Sequence, residues 1–173
     1  MTVRTVRSRG VLRAMPAAAL ALALALALAL GASAAQAAAC APGAGSQVNV
    51  TVDGLRSGDG DLVVELYADN EDGFLTKRAR IARVRERLDR ADPSVCLAAP
   101  KPGYYALAVY HDENGDHKFN KNFLGLPTEG FGLSNNPPLR LGKPSFESVR
   151  FMVGSGETRV RVRLRYLMGG GGD

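Results

Sequence analysis

The sequence predicts an all-β fold, a sandwich of six to seven antiparallel strands with one long loop. Two observations carry this expectation. Short stretches alternate apolar and polar residues with a period of two, the pattern of a strand buried on one face. Clusters of Gly, Pro, Asn and Asp separate those stretches as turns do. Segments with a 3.6-residue apolar period are scarce, and six or seven strands with little helix between them fit a sandwich.

The first 39 residues read as a leader, with cleavage expected after Ala34, Ala37 or Ala39. Arg4, Arg7, Arg9 and Arg13 form a basic start, Ala17 to Leu30 is a run of Ala and Leu, and GASAAQAAA follows with small-residue cleavage patterns. This order is that of a secretory signal peptide. The apolar run is shorter than the roughly 20 residues that span a bilayer, so an uncleaved anchor is only the competing reading. The mature chain, 40–173, is expected to be exported, periplasmic or secreted, with no transmembrane segment.

Export also reshapes the charge. The whole chain carries 22 Lys+Arg against 17 Asp+Glu, a net of +5. Four of those arginines and no acid lie in the leader, which leaves 18 against 17 in the mature chain. A net of +1 in an exported protein argues against nucleic acid as a partner. Cys40 and Cys96, the two cysteines of the chain, are expected to pair, as cysteines in an oxidising compartment do. A lipoprotein with an acylated Cys40 is the competitor, although Ala37 stands where such a signal usually has a larger apolar residue.

Residues 40–46 read as a flexible linker, 47–167 as the sandwich domain and 168–173 as a Gly-rich tail. QVNVTVDGL (47–55) alternates Val48, Val50 and Val52 with polar residues; SGDG turns the chain and DLVVELYA (61–68) returns it. The basic segment 77–92 admits a helix, with Ile81, Val84 and Leu88 on one side, or an arginine-rich edge strand; the strand is preferred. SVCLAA (94–99) brings Cys96 into the body. YYALAVYHD (104–112) is apolar on both faces and expected to be central. SFESVRFMVG (145–154) reads as a further strand. TRVRVRLRYL (158–167) sets Val160, Val162, Leu164 and Tyr166 against Arg159, Arg161, Arg163 and Arg165. Residues 113–144 show no period at all, and loops that long in a compact domain usually bind something or are stapled down. Phe119, Phe123 and Phe131 offer either an aromatic platform for a ligand or, as preferred, buried pins for this loop.

HDENGDHKFN (111–120) carries oxygen-bearing side chains at alternate positions. With Asp112 as the first position of a calcium loop, Asn114 is third, Asp116 fifth, the Lys118 carbonyl seventh and Asn120 ninth. His117 stands where glycine is usual and Phe123 where a bidentate acid is expected. Without that acid, and with Lys118 and Lys121 nearby, calcium affinity would be weak, about 10⁻⁴–10⁻³ M. Glu129 would have to fold back to serve as a remote ligand. The same residues also spell a structural turn, because Asn, Asp and Gly tolerate positive φ and cap their own backbone. The turn is preferred here, calcium stands second, and a transition metal held by His111 and His117 third.

Residues 100–137, PKPGYYALAVYHDENGDHKFNKNFLGLPTEGFGLSNNP, resemble the signature of small exported bacterial proteins grouped as domain-of-unknown-function family 2141. The resemblance rests on Gly103, Tyr104, Ala106, His111, Asp112 and Asn114, then Gly125, Pro127, Glu129, Gly130, Gly132, Ser134, Asn135 and Asn136, and extends over about 47–167. It implies an exported Ig-like or transthyretin-like sandwich of unassigned activity, and it supplies no catalytic residues.

Enzymatic motifs are weak. Ser134 lies in GLSNN rather than in the G-x-S-x-G turn of hydrolases. His111 and a carboxylate would join it only by chance of assembly. Asp112 and Glu129 could pair as glycosidase carboxylates, as any two acids could. The expected function is therefore a non-enzymatic binding or structural module of the cell envelope. The alternative is a weak calcium-dependent module that recognises envelope polysaccharide or a partner protein, with a hydrolase as a distant third. Calcium is the one cofactor suggested; envelope polysaccharide, anionic lipid or protein are the candidate partners.

Overall fold

The computed structural model of the chain describes residues 40–41, 43, 45–89, 93–138 and 144–167. The expected signal segment and the Gly-rich tail lie outside the described residues. The elements are β1 (Gln47–Asp53), β2 (Asp61–Ala68), β3 (Arg80–Arg87), β4 (Ser94–Ala98), β5 (Gly103–Asp112), β6 (Gly130–Leu133), a single helical turn α1 (Phe146–Val149), β7 (Phe151–Val153) and β8 (Glu157–Arg163). They form two sheets, β4-β1-β8 and β3-β2-β5-β6, with β7 paired to the start of β5. The protein is an all-β sandwich.

Two details depart from expectation. The described strands number eight rather than six to seven, and they are not all antiparallel. β1 and β8 run parallel, from Gln47↔Glu157 to Asp53↔Arg163. Parallel neighbours need a long crossover, and here the chain from β2 to β7, the whole second sheet together with β4, supplies it.

The alternation of the sequence becomes the core. Val48, Val50 and Val52 of β1, Leu62 and Val64 of β2, and Val162 of β8 meet between the sheets and are fully buried. β5 buries both faces, as its composition requires: Leu107 and Val109 face the sandwich, while Ala106 and Ala108 join a second cluster with Tyr67, Phe74, Phe146 and Val149. That second cluster explains why 145–154 is not one strand. Phe146 and Val149, three residues apart, share a side of a helical turn and both bury there; in a strand they would face opposite ways.

The basic segment is the strand β3, at the edge of its sheet. Ala82 and Val84 pack on the core. Its arginines turn the other way: Arg80 pairs with Glu65, Arg83 with Glu65 and the Tyr110 hydroxyl, and Arg85 with Asp61 and Asp112. A charged edge of this kind resists pairing with another chain.

β6 was not foreseen, and the reason is chemical. GFGL has two glycines, which weaken a strand signal. Here they are required by close approach: a Cβ on Gly130 would lie 2.4 Å from the Tyr166 ring, and one on Gly132 2.6 Å from the Arg163 carbonyl.

Cys40 and Cys96 form a disulfide across a separation of 56 residues. The sulfur of Cys40 is thereby consumed and carries no acyl thioether in this state. The bond, together with backbone hydrogen bonds from Gly156 to Gly45 and from Ala99 to Ser46, ties part of the 40–46 segment to β4 and to the turn before β8.

Candidate metal centre

The site sits where β5 ends. Asp112 is the last residue of β5 and lies opposite Asp61 of β2. Like charges placed so would repel, and Arg85 of the neighbouring β3 relieves this by reaching Asp61 Oδ2 at 2.8 Å and Asp112 Oδ2 at 2.5 Å with the same nitrogen. Asp112 Oδ2 also accepts the His117 N–H at 2.9 Å. Its other oxygen, Oδ1, is buried and has no partner.

The chain then folds over this carboxylate. Asn114 Oδ1 accepts the Asp116 N–H, Asp116 Oδ1 accepts the Lys118 N–H, and Asp116 Oδ2 accepts the Asn120 amide. The Asn120 amide, and then the Lys118 N–H, hold the Asp116 carboxyl below its ordinary range. His117 takes φ +68°, the left-handed backbone that the sixth position of a calcium loop needs and that His tolerates better than most residues.

Glu129 closes the site. The β5–β6 ladder pairs Tyr110 with Phe131 and His111 with Gly130, so its next step sets Glu129 across from Asp112. Glu129 Oε2 accepts the Asn120 N–H at 3.1 Å, while Oε1 is buried without a partner. One carboxylate oxygen from each of Asp112, Asp116 and Glu129 lies within 4.8 Å of the other two. A cation with oxygens at about 2.3–2.6 Å spans opposite ligands by about twice that, so the three oxygens fit a single coordination sphere. Burial, opposed by the Asn120 N–H and reinforced by the charges of Asp112, Asp116 and Glu113, pushes the Glu129 carboxyl up to about 7.

The cleft beside these acids, about 210 Å³, is lined by Glu113, Asn114, Asn120, Thr128 and Glu129. Of the residues expected from the spacing, the structure thus gathers Asp112, Asn114, Asp116 and Asn120. Lys118 contributes its N–H to Asp116 and does not line the cleft. Phe123, at the twelfth position, stands away in solvent, 94% exposed, and Glu129 takes the place of the missing acid. Spacing alone could not assign that role, because Glu129 lies beyond the end of a twelve-residue loop. Glu113 was also unforeseen. Hydrogen bonds from Arg56, and then from Ser57, hold its carboxyl down to about 2.

The two histidines do not meet. His111 is fully buried, with Nε2 donating to the Asp59 carbonyl at 2.6 Å and Nδ1 2.7 Å from the Tyr166 hydroxyl. His117 Nε2 approaches Asp61 instead, at 3.8 Å. Ser134 is also committed: its Oγ donates to the Val149 carbonyl and accepts the Leu107 N–H.

A family model described as "Uncharacterized protein conserved in bacteria (DUF2141)" matches residues 50–161. The chain belongs to this family. No curated protein and no solved structure matches it. The DUF2141 match covers the whole loop from Asp112 to Glu129. Within the loop and beyond it, the signature residues divide by role. Asn114 and Glu129 line the cleft, and Asp112 lies buried beside Glu129 and Asp116. Gly130 and Gly132 admit Tyr166 and β8. Asn135 and Asn136, both at positive φ, stitch the turn after β6: Asn135 donates to the Arg150 carbonyl, and Asn136 donates to the Arg161 carbonyl and accepts the Arg163 N–H. The aromatic trio divides too. Phe119 packs between Tyr110 and Phe131, with ring centroids 5.2 and 6.2 Å away, and pins the loop; Phe123 takes no part. Among the described residues no helix is long and apolar enough to cross a membrane.

Proposed function

We propose that the protein is a calcium-binding β-sandwich module of the bacterial cell envelope, in which the cation fastens the 112–129 loop to the end of β5. The observation that carries this reading is the pair of buried, unpartnered oxygens, Asp112 Oδ1 and Glu129 Oε1. Buried polar atoms are nearly always hydrogen-bonded, and two carboxylate oxygens left so beside a third carboxylate, with Arg85 already committed to Asp61 and Asp112 Oδ2, are strongly unfavourable without a further partner. Among the described residues the only other orphaned buried polar side-chain atom is Arg85 Nη2, on the arginine that holds Asp112.

The ligand chemistry favours calcium. The donors are hard oxygens from three carboxylates, with the Asn114 and Asn120 side chains on the cleft wall and the Lys118 carbonyl next in sequence. Magnesium demands a tighter octahedron and retains its waters, whereas calcium accepts an irregular shell of six to eight oxygens. Export is supported by the leader and by the disulfide. Calorimetric titration of the disulfide-bonded protein with calcium should show one site at about 10⁻⁴–10⁻³ M, with magnesium weaker. A titration flat to about 10 mM calcium, roughly tenfold the weakest dissociation constant of extracellular modules, would remove the proposal.

A further inference from the structure

The base of the cleft is also the base of a finger. Thr128 donates to the Asn120 carbonyl at 3.1 Å, Lys121 bridges Pro127, and Asn122 donates to the Leu126 carbonyl at 2.9 Å. The finger is a narrow hairpin from Asn120 to Thr128. Its tip is fixed by the Asn122 side chain, whose Oδ1 accepts the N–H groups of both Leu124 and Leu126 at 3.0 Å. Gly125 turns the chain at φ +76°.

What this rigid tip presents is apolar. Phe123 is 94% exposed and Leu124 67% exposed, the two most exposed large apolar residues described. They sit side by side on a convex point rather than in a groove. Lys118 and Lys121 flank the finger and are also exposed.

The charge near the finger depends on the cleft. Glu113 is neutralised by Arg56, and Asp112 and Asp61 together by Arg85 and Arg87. Asp116 and Glu129 then balance Lys118 and Lys121. A divalent cation leaves this neighbourhood with a net of +2. A convex apolar tip in a cationic collar matches the interface of an anionic bilayer, where apolar side chains enter the acyl boundary and Lys meets headgroups. We propose that Phe123 and Leu124 dock the protein onto an anionic lipid surface when calcium fills the cleft at the base of their finger. This rests on the calcium reading above.

The test is sedimentation of the disulfide-bonded protein with vesicles of phosphatidylglycerol and phosphatidylcholine, or of phosphatidylcholine alone, in millimolar calcium or in chelator. Calcium heat is measured on the same samples by calorimetry. Wild type should bind the anionic vesicles in calcium and at least about tenfold less in chelator or on neutral vesicles. The double variant Phe123→Ser, Leu124→Ser should keep its calcium heat and lose vesicle binding about tenfold or more, since the apolar transfer is gone. Undiminished vesicle binding by that variant would overturn the proposal. So would intact calcium heat in wild type with no vesicle binding, and that result would leave the metal reading standing. Absence of calcium heat in wild type would bring down both.

Discussion

Asp112 and Glu129, 17 positions apart in the sequence, meet one step beyond the last pair of the β5–β6 ladder, each with one buried oxygen that no protein group satisfies. A sheet register has thus delivered an acid that loop spacing lacks. The register is itself fixed by packing, because Gly130 and Gly132 let β6 lie against Tyr166 and β8.

Crowding three acids destabilises the metal-free protein. Glu129→Gln keeps an acceptor for the Asn120 N–H and removes a charge. In chelator the variant should be more stable than wild type by roughly 1–3 kcal/mol, from the raised carboxyl pKa. Denaturant midpoints in chelator check this; a variant clearly weaker than wild type would mean that the carboxylate is satisfied as it stands.

The same crowding sets a pH dependence. The Glu129 carboxyl, at about 7 in the fold, holds its proton more tightly than the unfolded chain does at about 4.3. Its stabilising contribution is complete below the unfolded value and is lost as pH rises through the folded one. Metal-free wild type should lose melting temperature between pH 5 and pH 8 (a window of roughly those bounds) more steeply than Glu129→Gln does. Equal slopes would show that Glu129 does not titrate there.

Cys40 and Cys96 should give no reactive thiol in unreduced protein. The bond closes a separation of 56 residues, so its loss should cost about 4 kcal/mol on the chain-entropy account. Thiol titration and denaturant midpoints of Cys96→Ala measure both. Two reactive thiols would contradict the pairing, and a diacylglycerol-sized mass on Cys40 would replace it.

Gly130→Ala should destabilise by about 1–3 kcal/mol, as overpacking does, because its methyl would strike the Tyr166 ring at 2.4 Å. Tyr166 is held by His111 and by the stacked Arg56 guanidinium, so it has little freedom to retreat. A neutral substitution would show that β6 can shift away from β8.

The strands were legible where burial imposes alternation. Val48 to Val52 and Val160 to Leu164 announce their faces, and β5 its central place. The parallel β1–β8 pair was hidden, since register and direction across 110 residues leave no local mark. β6 was hidden by its glycines, and α1 by a stretch in which Phe146 and Val149 suit helix or strand until the second cluster selects the helix. At the site, Asp112, Asn114, Asp116 and Asn120 were readable from spacing, whereas the part played by Glu129 depended on which strand would lie beside β5. The turn preferred from the sequence is also present, in the Asx bonds of Asn114 and Asp116. A turn alone, however, does not account for the orphaned oxygens.

The most direct measurement is the melting temperature of wild type and of Glu129→Gln, each in chelator, in magnesium and in calcium at about tenfold the dissociation constant. Calcium should stabilise wild type by about 1.4 kcal/mol, a rise of roughly 4–7 °C for a domain of this size, with little change in magnesium. Glu129→Gln should start higher in chelator and gain almost nothing from calcium. Equal calcium shifts in the two proteins, or no shift in wild type, would contradict a cation held between Asp112, Asp116 and Glu129.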